Sequence, residues 1–289
     1  MSEISPALYR AGAGEPVLLL HGFTGTWRHW RPLLGDLAAR YDVIAPTLAG
    51  HAGGEPYPAG VGVSAGSAVD LLERQLDDLG LTDVHVVGNS MGGALALELA
   101  RRGRTRSVVA LAPGGGWTPG DGEAPRVGRF FSRQLRLTRL AAPAMATVLR
   151  RPLGRHLAFR NIMRHGELVS PADAVDLAAT SLQCTIAGRL IELLKADAEL
   201  ALTGLDAIRC PVLVASPQYD RVLPAERHAP RLLREIPGAE AVTLAGCGHV
   251  PMWDDTAAVL DTINGFIGRH ANASGARRDA GTPAVSGAA

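Results

Sequence analysis

The sequence predicts a mostly parallel, doubly wound α/β sheet with a long helical insertion. Three observations carry this. Short apolar runs recur between amphipathic helical patterns. Several of these runs are apolar at every position, as strands covered on both faces require. The alternation then stops near residue 113 and resumes near residue 211.

The strand candidates in chain order are Val17–Leu20, Val43–Ala45, Val84–Val87, Val108–Leu111, Val212–Ala215 and Ala241–Leu244. Helical spacing appears between them, in Trp30, Leu33, Leu34 and Leu37 and again in Val69, Leu72, Leu76 and Leu79. Ala94–Ala100 is helix-favouring and stops near Gly103. A last helical pattern runs through Ala257, Val259, Leu260, Ile263 and Phe266. Pro113-Gly114-Gly115-Gly116 marks a linker. Beyond it the chain is rich in Arg and Leu, and Ser170-Pro171 is placed to cap and open a helix. The expected organisation is a core of residues 1–113 and 206–270, a helical cap of 114–205, and a disordered tail of 271–289, which holds almost no large apolar residue.

Composition narrows the class of function. The 289 residues carry 29 basic and 28 acidic side chains, so neither nucleic acid nor an anionic membrane is expected as a standing partner. No signal peptide is expected at the N-terminus, and no apolar run is long enough for stable membrane insertion. A cytoplasmic protein is the expectation. Cys184, Cys210 and Cys247 are too few and too scattered for a disulfide framework. Without H-E-x-x-H, C-x-x-C or paired-carboxylate spacing, no metal and no cofactor are expected. The arginines at 126, 129, 133, 136 and 139 read as a solvated helix face, with an acidic-substrate or membrane-surface role as the alternative.

The chemistry concentrates in four places. Gly88-Asn89-Ser90-Met91-Gly92 fits G-x-S-x-G between a strand and a helix. A sharp turn there would expose Ser90 as a nucleophile over a helix N-terminus that favours negative charge. A hydroxyl of ordinary acidity needs a base, and His249 in Gly248-His249-Val250, after the last strand candidate, is the candidate. The base needs an acid to hold its tautomer. Asp220, between a strand end and Pro224, suits that role, while Asp254 and Asp255 read as the start of the last helix. An oxyanion hole would use the N–H of Met91 and, from the loop His21-Gly22-Phe23-Thr24-Gly25, that of Phe23. Among the other histidines, His51 could line the site and His85 reads as a core histidine.

These motifs, in the order Ser90, Asp220, His249 and preceded by Leu-Leu-Leu-His21-Gly22-Phe23, resemble the α/β-hydrolase superfamily. The resemblance implies the α/β-hydrolase fold and a small-molecule substrate, and it leaves the oligomeric state open. Ser at position 90 speaks against the branches with an Asp nucleophile, the haloalkane dehalogenases and epoxide hydrolases. Gly-Asn-Ser-Met-Gly-Gly is similar to meta-cleavage product hydrolases and to esterases. The former place a Trp directly after the catalytic His and use a cap Arg; here Val250 follows His249, and Arg160 or Arg189 would stand for the cap Arg. The expected activity is cleavage of a carboxylic ester with an apolar moiety through an acyl-enzyme on Ser90. The alternatives are a carbon–carbon bond hydrolase and a non-catalytic ligand-binding protein on the same fold.

Overall fold

A computed structural model describes residues 3–197 and 200–271. The strands are β1 (Glu3–Ile4), β2 (Leu8–Ala11), β3 (Pro16–Leu20), β4 (Asp42–Pro46), β5 (Val84–Asn89), β6 (Thr105–Leu111), β7 (Val212–Pro217) and β8 (Glu240–Leu244). They form one sheet in the order β1-β2-β4-β3-β5-β6-β7-β8. The pairings from β4 to β8 are parallel, and β1 and β2 add an antiparallel edge. Each predicted strand lies within β3–β8. The two-strand edge went unread because it is short and half polar, with Tyr9, Arg10 and Ala11 only partly buried.

Helices α1 (Arg31–Ala38), α2 (Ala65–Asp78) and α3 (Met91–Arg101) connect the first strands. Successive residues of β3 point to opposite faces. Val17 and Leu19 join Trp30, Leu33 and Leu37 of the α1 side, whereas Leu18 and Leu20 join Leu72 and Leu76 of α2 and Leu95 and Leu99 of α3. Between β6 and β7 the described residues form no strand. They fold into α4 (Glu123–Ala141), α5 (Met145–Val148), α6 (Pro152–Phe159), α7 (Pro171–Ser181) and α8 (Ala187–Lys195). Ser170 caps α7, its side chain accepting from the Asp173 N–H. Helices α9 (Ala225–Glu235) and α10 (Thr256–Ala271) complete the layers. The expected tail lies outside the described residues apart from Ala271, which ends α10.

The chain turns hardest between β5 and α3. Ser90 sits at φ 56°, ψ −115°. A Cβ on Gly88 would lie 2.2 Å from the Gly92 carbonyl oxygen, and one on Gly92 would lie 2.0 Å from the Leu20 carbonyl oxygen. Both contacts are with backbone, which cannot swing aside. Gly92→Ala should therefore cost about 1–3 kcal/mol or more. Gly35→Ala, in exposed α1 with open space around the added carbon, should instead stabilise by roughly 0.5–1 kcal/mol. Urea denaturation of the two variants checks the contrast.

Candidate active site

Strand ends deliver the candidate residues to one edge of the sheet. Ser90 leaves β5; its N–H donates to the Leu111 carbonyl (2.9 Å) and its carbonyl accepts from the Gly114 N–H (2.9 Å). The elbow is thus pinned to the end of β6. Asp220 follows β7 and His249 follows β8, so neighbouring strands place them side by side. Nδ1 of His249 lies 2.7 Å from Oδ2 of Asp220, and both side chains are almost fully buried.

Asp220 is an anion held by design of its loop. Burial alone would raise its carboxyl. The facing His249, the hydrogen bond between them and the N–H groups of Leu223 and Val222 outweigh burial and hold it below the usual carboxylate range. Those two N–H groups both donate to Oδ1, each at 2.8 Å. With Oδ2 accepting, the His249 proton sits on Nδ1 and Nε2 is left with a lone pair. That Nε2 is buried and has no hydrogen-bond partner among the described residues. Such a group carries a free-energy cost in a folded protein. His249 and Ser90 line the same cavity.

Three side chains outside the sequence-derived set fix this pair. Asn89 is buried, and its Nδ2 donates to the His249 carbonyl (3.0 Å) and to the Leu111 carbonyl (3.2 Å). Asp254, read from sequence with Asp255 as a helix start, does something else. It accepts the N–H of Gly248 (2.7 Å) and those of Arg164 (2.9 Å) and His165 (2.7 Å), tying the His249 loop to the β6–β7 segment. Asp255 does cap α10, accepting from the Ala258 N–H. Arg126, read as part of a solvated face, reaches inward from α4. Its Nη2 donates to the Val222 carbonyl at 2.6 Å. That carbonyl belongs to the same peptide group as the Leu223 N–H that donates to Asp220. Arg129, Arg133, Arg136 and Arg139 are exposed, as expected of a solvated face.

The loop after β3 presses on the elbow. A Cβ on Gly22 would lie 3.3 Å from the Ser90 Cβ. Gly22–Gly25 is a tight turn closed by the Gly25 N–H to the Gly22 carbonyl (3.0 Å), with Thr24 at φ 63°. The Phe23 N–H makes no hydrogen bond among the described residues. Met91 opens α3, where the first N–H groups have no acceptor within the helix. Ser90, Phe23 and Phe131 line two cavities at once. One, of about 580 Å³, also includes Met91, His51, Tyr57, Val127 and Leu190. The other, of about 270 Å³, includes His249, Val250, Leu149, Phe159 and Met163. Trp253, placed later than the Trp of the meta-cleavage pattern, does not join either lining. Arg160 lines the smaller cavity, whereas Arg189 donates to the Val61 carbonyl. Among the described residues no group of His, Cys, Asp or Glu could hold a metal.

Three histidines brace the turn. His21 spans it: Nδ1 donates to the Gly22 carbonyl (2.8 Å) and Nε2 accepts the Leu48 N–H (2.9 Å). The His51 ring lies 4.9 Å from that of His21, and the His29 ring 6.4 Å. Burial, then the repulsion of neighbouring imidazolium charge, pushes His29 down to about 4; burial pushes His51 to about 4 and His21 well below its ordinary value. An unfolded chain takes up these protons near pH 6.5, whereas in the folded chain His29 and His51 wait until near pH 4 and His21 also stays neutral well below its ordinary value. Unfolding therefore gains protons in that window, and stability falls as pH drops through it. The thermal midpoint should decline from pH 6.5 to pH 4, and His51→Asn should flatten the decline.

The chain matches the Alpha/beta hydrolase family over residues 17–262. It is 34% identical over 206 residues to the epoxide hydrolase EphH of Mycobacterium tuberculosis, covering 71% of this chain and 95% of that one. It is 39% identical over 113 residues to the 2-hydroxy-6-oxo-2,4-heptadienoate hydrolase of Pseudomonas putida, covering 37% of this chain and 41% of that one. Among solved structures it is similar to the naproxen esterase of Bacillus subtilis, with a TM-score of 0.71, 20% identity, and coverage of 92% of this chain and 91% of that one. Among the described residues no helix is long and apolar enough to cross a membrane. The strand order, the strained Ser90 turn and the family match agree: the chain is a member of the α/β-hydrolase family.

Proposed function

We propose that the protein hydrolyses carboxylic esters with an apolar moiety through an acyl-enzyme on Ser90. The observation that carries this reading is the buried, unpartnered Nε2 of His249, backed by Asp220 and sharing a cavity with Ser90. Nε2 takes the Ser90 proton as the hydroxyl attacks the carbonyl carbon. The N–H groups of Phe23 and Met91 receive the developing oxyanion. The imidazolium then gives its proton to the departing alkoxide. Water, deprotonated by the same nitrogen, attacks the acyl-enzyme; the acyl–Oγ bond breaks, the imidazolium returns its proton to Ser90 Oγ, and the acid is freed.

The two cavities support a division of the ester into two halves. The leaving alcohol must sit beside His249, hence in the cavity of about 270 Å³. The acyl group then extends beside Met91 into the cavity of about 580 Å³, under the β6–β7 segment acting as cap. A compact alcohol and a longer acyl chain are the substrate this division favours.

Chemistry at residue 90 weighs against the activity in the name of the mycobacterial relative. A carboxylate that opens an epoxide forms an ester, which water can cleave. Serine would form an ether, which this machinery cannot release. Carbon–carbon cleavage is the second reading. Residue similarity to the Pseudomonas hydrolase and the place of Arg160 at the smaller cavity favour it.

Ser90→Ala should lower kcat on a p-nitrophenyl ester by about 10⁴-fold or more, and Asp220→Asn by about 10⁴-fold. Turnover should rise with acyl length across a p-nitrophenyl ester series. Faster turnover of a ring-fission dienone than of every ester would favour the second reading instead. Arg126→Gln should lower kcat on the order of tenfold with little change in KM, because it removes a charged hydrogen bond behind the Asp220 loop. Arg126→Lys should restore part of that loss, and steady-state kinetics of the two variants check it.

A further inference from the structure

Charge in this chain is unevenly distributed. Residues 124–166 hold ten arginines and no aspartate or glutamate, although the whole chain is at +1. Only some of these arginines have structural work. Arg155 is buried and donates to the carbonyls of Leu149, Arg150 and Glu167. Arg126 holds the Val222 carbonyl, and Arg164 lies over the Tyr219 ring. Arg129, Arg133, Arg136, Arg139, Arg150 and Arg151 are exposed and make no ion pair among the described residues.

The same stretch exposes large apolar side chains. Leu137, Leu140, Val148, Leu153 and Leu157 are open to solvent, Leu140 at 69% and Leu153 at 68%. Elsewhere among the described residues only Ile4, Leu168 and Tyr219 share that state. On α4, positions 129, 133, 136, 137 and 140 follow helical spacing, so arginine and leucine share one face. Leu137, Val148 and Leu157 also line the cavity of about 270 Å³ that ends at Ser90 and His249. Exposed leucine and valine therefore line that cavity, Arg160 lines it with them, and Arg136, Arg139, Arg150 and Arg151, exposed as well, are close neighbours of Leu137 and Val148 in sequence.

We propose that this face docks on the surface of an anionic phospholipid bilayer, with the cavity mouth turned to the lipid. Leucine beside unpaired arginine on a short helical surface is the pattern that binds at a headgroup boundary without spanning it. The charge selects among occupants. A second copy of the chain would bring the same uncompensated positive face against itself. A neutral apolar partner would leave the arginines unmatched. An anionic bilayer matches both features. Resting on the hydrolase reading, this orientation supplies Ser90 with apolar esters dissolved in the membrane rather than in water.

Co-sedimentation of the full chain with vesicles tests the docking without need of catalysis. Vesicles of phosphatidylcholine mixed with phosphatidylglycerol should pellet the protein, vesicles of phosphatidylcholine alone should pellet far less, and added salt should release it. Arg133→Glu, Arg136→Glu and Arg139→Glu together should weaken binding by about fivefold or more per arginine. Leu140→Ser with Leu153→Ser should lower retention at high salt. None of these residues lines either cavity, so unchanged thermal unfolding and unchanged turnover of a soluble short-chain ester show that the variants are intact. Equal pelleting with both vesicle types, or undiminished pelleting of the triple variant, overturns the proposal. So does a dimer in analytical ultracentrifugation that the triple variant abolishes, or binding of an acidic protein with none to vesicles. If Ser90 proves inert while anionic vesicles still bind, the docking stands and the hydrolase reading falls.

Discussion

The structure depends on how closely α3 approaches the ends of β3 and β5. Gly88 and Gly92 leave no room for a side chain, with backbone oxygens about where a Cβ would be. That contact forces Ser90 to φ 56°, a conformation L-residues seldom adopt. It also sets the first N–H of α3 beside the serine and brings the Gly22–Gly25 turn against it. Strain of this kind persists only where the surroundings over-determine it. Here the surroundings are two hydrogen bonds to the β6 end and the packed core on both faces of the sheet.

The His249 side of the site is held differently, by polar contacts rather than by packing of glycine. Asn89 fixes the His249 carbonyl, Asp254 fixes the loop before it, and Asp220 fixes the ring. Asp220 is itself held by Val222 and Leu223, whose shared peptide oxygen is bound by Arg126. Asp254 and Arg126 therefore couple the β6–β7 segment to the loops that carry His249 and Asp220. Shifts of the helical segment would reach both His249 and Asp220.

Much of this was legible in the chain because the informative residues are neighbours in sequence. The elbow is five consecutive residues between a strand and a helix, and β3–β8 are short apolar runs. Asp220 and His249 each follow such a run. Asn89, Asp254 and Arg126 were not legible, because their partners lie far away in sequence, with separations of 160, 90 and 96 residues. Nothing local separates Asp254 from Asp255, yet one staples a loop and the other caps α10. The arginine stripe showed its period but not that its first member turns inward. The edge strands β1 and β2 escaped because an antiparallel edge needs no continuous apolar run.

The proposed hydrolysis requires that Ser90 form a covalent acyl intermediate. Rapid quench of the protein with a p-nitrophenyl ester, followed by peptide mass mapping, tests it directly. An acyl adduct is expected on the peptide containing Ser90, formed with a burst of p-nitrophenolate and accumulating when His249-assisted deacylation is slower than acylation. Continued turnover with no adduct on Ser90 even when acylation is shown by the burst, or an adduct on another residue, would contradict it.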